Sequence, residues 1–141
     1  MKQILFDTNI ILDIALRREP FFEAADQLFS LLDEGKIKGF MTATSATDIY
    51  FVSKKVCGRR KTIAFIRELI DILEVLSVTK GTIVEALNSE FKDFEDAVQF
   101  CVADMNRIDA IVTRNKPDFS LSTIRVYTPD ELIKLLTKKQ I

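Results

Sequence analysis

Residues 2–16 read KQILFDTNIILDIAL, and this stretch decides how the rest of the chain is read. Lys2–Phe6 is a short β-branched and aromatic run, the composition of a strand. It passes straight into apolar residues Ile10, Ile11, Ile14 and Ala15 at helical spacing. The reading is strand, tight turn at Asp7, helix.

The same alternation continues outward. A helix is expected over 21–34, after Pro20 and closing at Gly35, which suits the left-handed cap. Residues 38–41 (KGFM) suit a second strand, and the Thr/Ser cluster from Thr42 to Thr47 can cap a helix ending near Cys57. Gly58 separates this from a helix over 61–73. Residues 74–78 (EVLSV) supply a third strand, and Thr79 caps a short helix ending at Asn88. Residues 93–105 place Phe94, Ala97, Val98, Cys101 and Met105 on one helical stripe. Strands follow at 110–113 and 124–127. Thr128, Pro129 and Glu131 then specify the last helix as N-cap, first helical residue and capping-box acid. Strands separated by helices imply right-handed crossovers, so the expected fold is a three-layer α/β/α domain around a mainly parallel sheet.

Composition bounds the rest. The chain has 141 residues, 48% hydrophobic. Domains of this size bury roughly 70% of their unfolded surface, and a single domain over 1–141 is expected. No apolar run approaches the roughly 20 residues of a membrane span, and the opening residues do not form a signal peptide, so the expectation is a cytoplasmic protein with no membrane association. There is no histidine, and there are only two cysteines, Cys57 and Cys101, without CxxC spacing. That argues against a zinc site, a disulfide framework and any Ser-His-Asp or Cys-His machinery. The net charge of −1 leaves any polyanion partner to a local basic patch.

Ligands of open α/β sheets bind outside the carboxyl ends of the strands. Asp7 ends the first strand, Asp48 and Asp96 are expected in the first turns of their helices, and Asn115 and Asp118 follow the 110–113 strand. Converging carboxylates repel unless neutralised, and hard oxygen donors suit Mg²⁺ or Mn²⁺. Such a site can activate a water for attack on a phosphodiester. Each acid also has a plainer role. Asp48 follows Ser45 by three residues and Asp96 follows Asp93 by three, the spacing of helix N-terminal acids, and Asp7 itself can cap a helix. Asp13, Asp104 and Asp109 fall outside the expected site. Arg114 and Lys116 lie beside it and could grip phosphates, whereas Lys54, Lys55, Arg59, Arg60 and Lys61 suit a solvated helix junction.

The segments DTNIILD (7–13), DFEDAVQ (93–99), DAIVTRNKPDF (109–119) and TPDEL (128–132), in this order, resemble the PIN domain family over nearly the whole chain. The VTRNKPDF wording resembles one branch of it. The resemblance implies a PIN-like fold and a Mg²⁺- or Mn²⁺-dependent endoribonuclease. Matched position by position, its acids fall on Asp7, Asp48, Asp96 and Asn115. Two positions depart from the family's pattern: the second acid is usually glutamate, and the fourth, often aspartate, is Asn115, with Asp118 as a substitute carboxylate. Members of this length resemble VapC-type toxins, which implies RNA as substrate, a small antitoxin partner and a homodimer. Two other readings stay open on the residues: a catalytically weak or inactive PIN scaffold that binds RNA or a protein, suggested by Asn115, and a phosphatase or phospho-acceptor domain, which the absence of a DxD motif after the first strand disfavours.

Overall fold

The computed structural model describes residues 2–138, so Met1 and residues 139–141 of the expected 1–141 domain lie outside the described residues. Five strands, β1 (Lys2–Phe6), β2 (Ile37–Thr42), β3 (Glu74–Leu76), β4 (Ala110–Val112) and β5 (Arg125–Tyr127), form one sheet in the order β3-β2-β1-β4-β5. Every pairing is parallel. The sheet is therefore wholly parallel where a mainly parallel one was expected.

Helices α1 (Thr8–Ala15) and α2 (Phe22–Asp33) connect β1 to β2, and α3 (Ala43–Cys57) and α4 (Arg59–Ile72) connect β2 to β3. The chain then returns through α5 (Lys80–Asn88) and α6 (Phe94–Met105) to place β4 on the far side of β1. A 3₁₀ turn (Lys116–Phe119) leads to β5, and α7 (Pro129–Lys138) closes the described chain. Because the winding reverses between β1 and β4, their carboxyl ends border the crevice where open parallel sheets bind ligands.

The period-2 alternation of the strands divides the core. Ile4 and Phe6, with Met41, Ala110 and Val112, face the layer built by α1 to α4 and α7. Leu5 and Ile111 face the opposite way, with Ala103 of α6 and Phe119 beneath them. Gly39 lies where β2 is overlaid most closely: a Cβ there would collide with the side chains of Leu73 and Leu32. Gly35, at φ +72, adopts the left-handed conformation expected after α2. Thr128 and Glu131 exchange the two capping-box bonds, with the Thr128 N–H donating to Oε1 of Glu131 at 2.9 Å and the Glu131 N–H to Oγ1 of Thr128 at 3.2 Å. Among the described residues, no helix is long and apolar enough to cross a membrane.

Candidate functional site

Asp7 occupies the N-cap position of α1, yet its side chain makes no capping bond. Its carboxylate, only 6% exposed, is held instead from two other elements. Gln99 Nε2 of α6 donates to Oδ1 at 2.9 Å, and Thr113 Oγ1, just past β4, donates to Oδ2 at 2.7 Å. Two donors satisfy the hydrogen-bonding capacity of a carboxylate that lies out of water. The backbone completes the joint, with the Asp7 N–H donating to the carbonyl of Val112 at 3.0 Å.

Asp96 lies in the first turn of α6, but the cap there is Asp93, whose Oδ1 accepts from the Asp96 N–H at 3.0 Å. The Asp96 side chain is thereby left free of capping duty. Burial, followed by the charges of Asp7, Asp93, Asp118 and Glu95, pushes its carboxyl up to about 7. Asp48 sits at the sixth residue of α3, one turn later than expected, because the helix begins at Ala43 with Thr42 as its cap. That cap accepts from the Ser45 N–H at 3.2 Å, so Asp48 makes no contribution to the helix start. Hydroxyl contacts join the two helix starts, Thr8 Oγ1 to Ser45 Oγ at 2.6 Å and Ser45 Oγ to Thr42 Oγ1 at 3.1 Å. This cluster fixes the end of α3 nearest Asp7.

Asp118 and Asn115 act together rather than as alternatives, since Asn115 Nδ2 donates to Oδ2 of Asp118 at 2.6 Å. Asp118 faces the acidic cavity; Asn115 orients it from outside the lining. Arg114 turns away from that cavity. Its Nε and Nη2 donate to the fully buried Asp13 of α1 at 2.9 and 3.3 Å, and its guanidinium stacks 3.9 Å from the Phe21 ring centroid. Burial nevertheless leaves the Asp13 carboxyl above the usual range, although Arg114 and Arg18 draw it down. Lys116 pairs with Glu131 of α7 at 3.2 Å. Of the other acids, Asp109 accepts from the Gln3 N–H at 2.8 Å, and Asp104 is exposed.

Asp7, Asp48, Asp93, Glu95, Asp96 and Asp118 line one cavity of about 350 Å³, with Gln99 in its wall and, among the described residues, no lysine or arginine. Glu95 was not anticipated. Burial and the adjacent Asp48 raise its carboxyl, and Asp93 and Asp7 add to the effect. Such a set is stable only beside cations or with protons retained. Among the described residues, no group of three or more acidic or cysteine side chains is prearranged as a metal cage. Mg²⁺ does not require one, since it is ordinarily held by one or two carboxylates with waters and substrate phosphate completing its shell. Gln99 Oε1, buried and without a hydrogen-bond partner, adds a further hard acceptor to this site. The donor set therefore fits a divalent metal of that kind.

The sequence pattern of the PIN domain matches residues 3–117. The chain belongs to the PIN domain family. Ribonuclease VapC1 of Aquifex aeolicus (strain VF5) is similar to this PIN domain at 26% identity over 135 residues, which is 92% of each chain. Among solved structures, a toxin-antitoxin complex from Klebsiella pneumoniae superposes with a TM-score of 0.67 at 23% identity, covering 89% of this chain and 97% of that one. VapC20 of Mycobacterium tuberculosis, a Sarcin-Ricin loop cleaving toxin, gives 0.67 at 15% identity over 84% and 94% of the two chains. DNA-bound VapBC from Salmonella typhimurium gives 0.67 at 17% over 92% and 99%. These likenesses establish the PIN fold for the five-stranded sheet and the helices around it.

Proposed function

We propose that this PIN domain is a Mg²⁺- or Mn²⁺-dependent endoribonuclease, with a small antitoxin as its partner and a homodimer as its working form. The observation that carries the reading is the cavity in which six carboxylates meet no basic side chain among the described residues. RNA, a polyanion, is repelled from such a surface until cations neutralise it. Similarity to a protein named as a ribonuclease and to toxins found with antitoxins supports the substrate and the partner.

Asp7, Asp96 and Asp48 would hold the metal, with Asp118 as the fourth carboxylate. When bound, a divalent ion supplies electrophilic activation of the phosphodiester and neutralises charge developing on it. Gln99 and Thr113 occupy both oxygens of Asp7 with donors and hold its carboxylate fixed in orientation. Asn115 performs the same service for Asp118. Burial and the neighbouring acids raise the Asp96 carboxyl, so this side chain would give up its proton as a cation takes its place among the carboxylates. Arg114 serves the fold rather than the phosphate, because Asp13 and Phe21 already engage it.

The test is cleavage of single-stranded RNA by the purified protein. Activity that requires Mg²⁺ or Mn²⁺, disappears with EDTA and is lost in Asp7→Asn supports the reading. Cleavage that survives EDTA or Asp7→Asn would overturn it.

A further inference from the structure

A second cavity of about 380 Å³ opens beside the acidic one and shares Asp93, Asp96 and Asp118 with it. The two adjoin as arms of one trough at these three acids, of which Asp96 and Asp118 belong to the proposed metal site, while Asp7, Asp48 and Glu95 line the acidic arm alone. Each arm falls within the roughly 300–1,000 Å³ typical of a small-molecule site. A phosphodiester reacting at the junction therefore has room for one nucleoside on either side.

The arms differ in character. Beyond the shared acids, the second is walled by Phe91, Pro117 and Leu121, with Lys92 and Glu90 on its rim. Phe91 is stacked on Phe100 at 5.2 Å between centroids and lies edge-on to Phe119 at 6.3 Å. Leu121 is 52% exposed, although an apolar side chain gains nothing from facing water there. Lys92 is the single cation among the residues lining the two arms. Apolar and aromatic walls beside a cation form the usual combination for an unpaired nucleotide, in which the base lies on the wall and a phosphate meets the charge. Glu90 can accept from a base amino group.

We propose that the arm formed by Phe91, Lys92, Pro117 and Leu121 is a nucleoside subsite for single-stranded RNA, receiving the nucleotide next to the scissile phosphate. This rests on the ribonuclease reading above and adds to it the side chains that would receive a nucleotide beside the acids. Phe51, 65% exposed and one helical turn after Asp48, borders the opposite arm. The two ends of the trough thus each offer an apolar face to a splayed base.

The experiment compares wild type, Leu121→Glu, Lys92→Glu and, as a charge-matched control outside the trough, Lys55→Glu. Steady-state cleavage of an unstructured RNA gives kcat and KM, anisotropy of the same RNA in an Asp96→Asn background gives binding, and thermal melting checks the fold. The expected result is a rise in KM and in Kd on the order of 10-fold for both trough variants, with kcat and Tm held and Lys55→Glu like wild type. Equal KM and Kd in wild type and both trough variants overturns the subsite while leaving the nuclease standing. A wild type that does not cleave overturns the ribonuclease reading itself, and the subsite with it.

Discussion

Thr113, one residue past β4, donates a 2.7 Å hydrogen bond to Oδ2 of Asp7, one residue past β1. The two residues are 106 positions apart in sequence and meet because the sheet reverses its winding between these neighbouring strands. Removing the hydroxyl while keeping the side-chain shape deletes this contact together with the bond that Thr113 Oγ1 accepts from the Asn115 N–H at 3.2 Å. Thr113→Val is expected to weaken metal binding and RNA cleavage by roughly 10- to 100-fold, the usual effect of losing a group that orients a ligand. Thr113→Ser should restore most of both. Calorimetric titration with Mn²⁺, paired with cleavage rates, measures it; Thr113→Val indistinguishable from wild type would rule the contact out as a positioning device.

The Asp13–Arg114 pair makes a prediction about stability. Asp13 is fully buried, while Arg114 keeps about a quarter of its side chain exposed, so deleting the acid strands a partly buried cation. Asp13→Ala is expected to cost about 3 kcal/mol, the lower end for breaking a buried pair because water can still reach Arg114. Urea unfolding of Asp13→Ala beside wild type provides the check. If Arg114 were free to hold phosphate instead, Arg114→Ala would raise the KM for RNA without loss of stability.

The acid cluster predicts how the metal-free protein responds to pH. The folded Asp96 carboxyl titrates near 7, against 3.8 for an ordinary aspartate, so between these values the folded chain binds more protons than the unfolded one. Stability from this group therefore falls as pH rises through that window. Burial raises Asp13 and Glu95 in the same direction, so Asp96→Asn should shallow the decline without abolishing it. Saturating Mg²⁺ should flatten the wild-type profile by favouring the ionised carboxylates. Thermal melts across pH 4 to 7 that stay level in EDTA would contradict this electrostatic picture.

Much of the fold was legible locally. KQILF followed by helical spacing, Gly35 after α2 and the Thr128–Glu131 capping box each depend on neighbours a few residues away, and each appears where expected. Strand ends were less legible: the expected strand over 74–78 pairs only at Glu74–Leu76, because β3 is an edge strand with a partner on one side. Asp7 stood out as an acid ending an apolar strand. The groups that hold it did not, since nothing near Gln99 or Thr113 in sequence marks them as its partners. The destination of Arg114 was hidden for the same reason, as Asp13 lies 101 residues away. Glu95 had a visible signal, an acid adjoining Asp96 in DFEDAVQ, but its proximity to Asp48 required the packed helices.

The most direct test of the account is a titration of RNA cleavage with Mn²⁺, starting from the chelated protein, for wild type beside Asp96→Asn. Metal-dependent cleavage should rise to saturation in wild type and remain at background in Asp96→Asn across the titration. Equal turnover by both proteins, or wild-type RNA binding with no metal-stimulated cleavage at any concentration, would contradict a metal-dependent nuclease centred on these carboxylates.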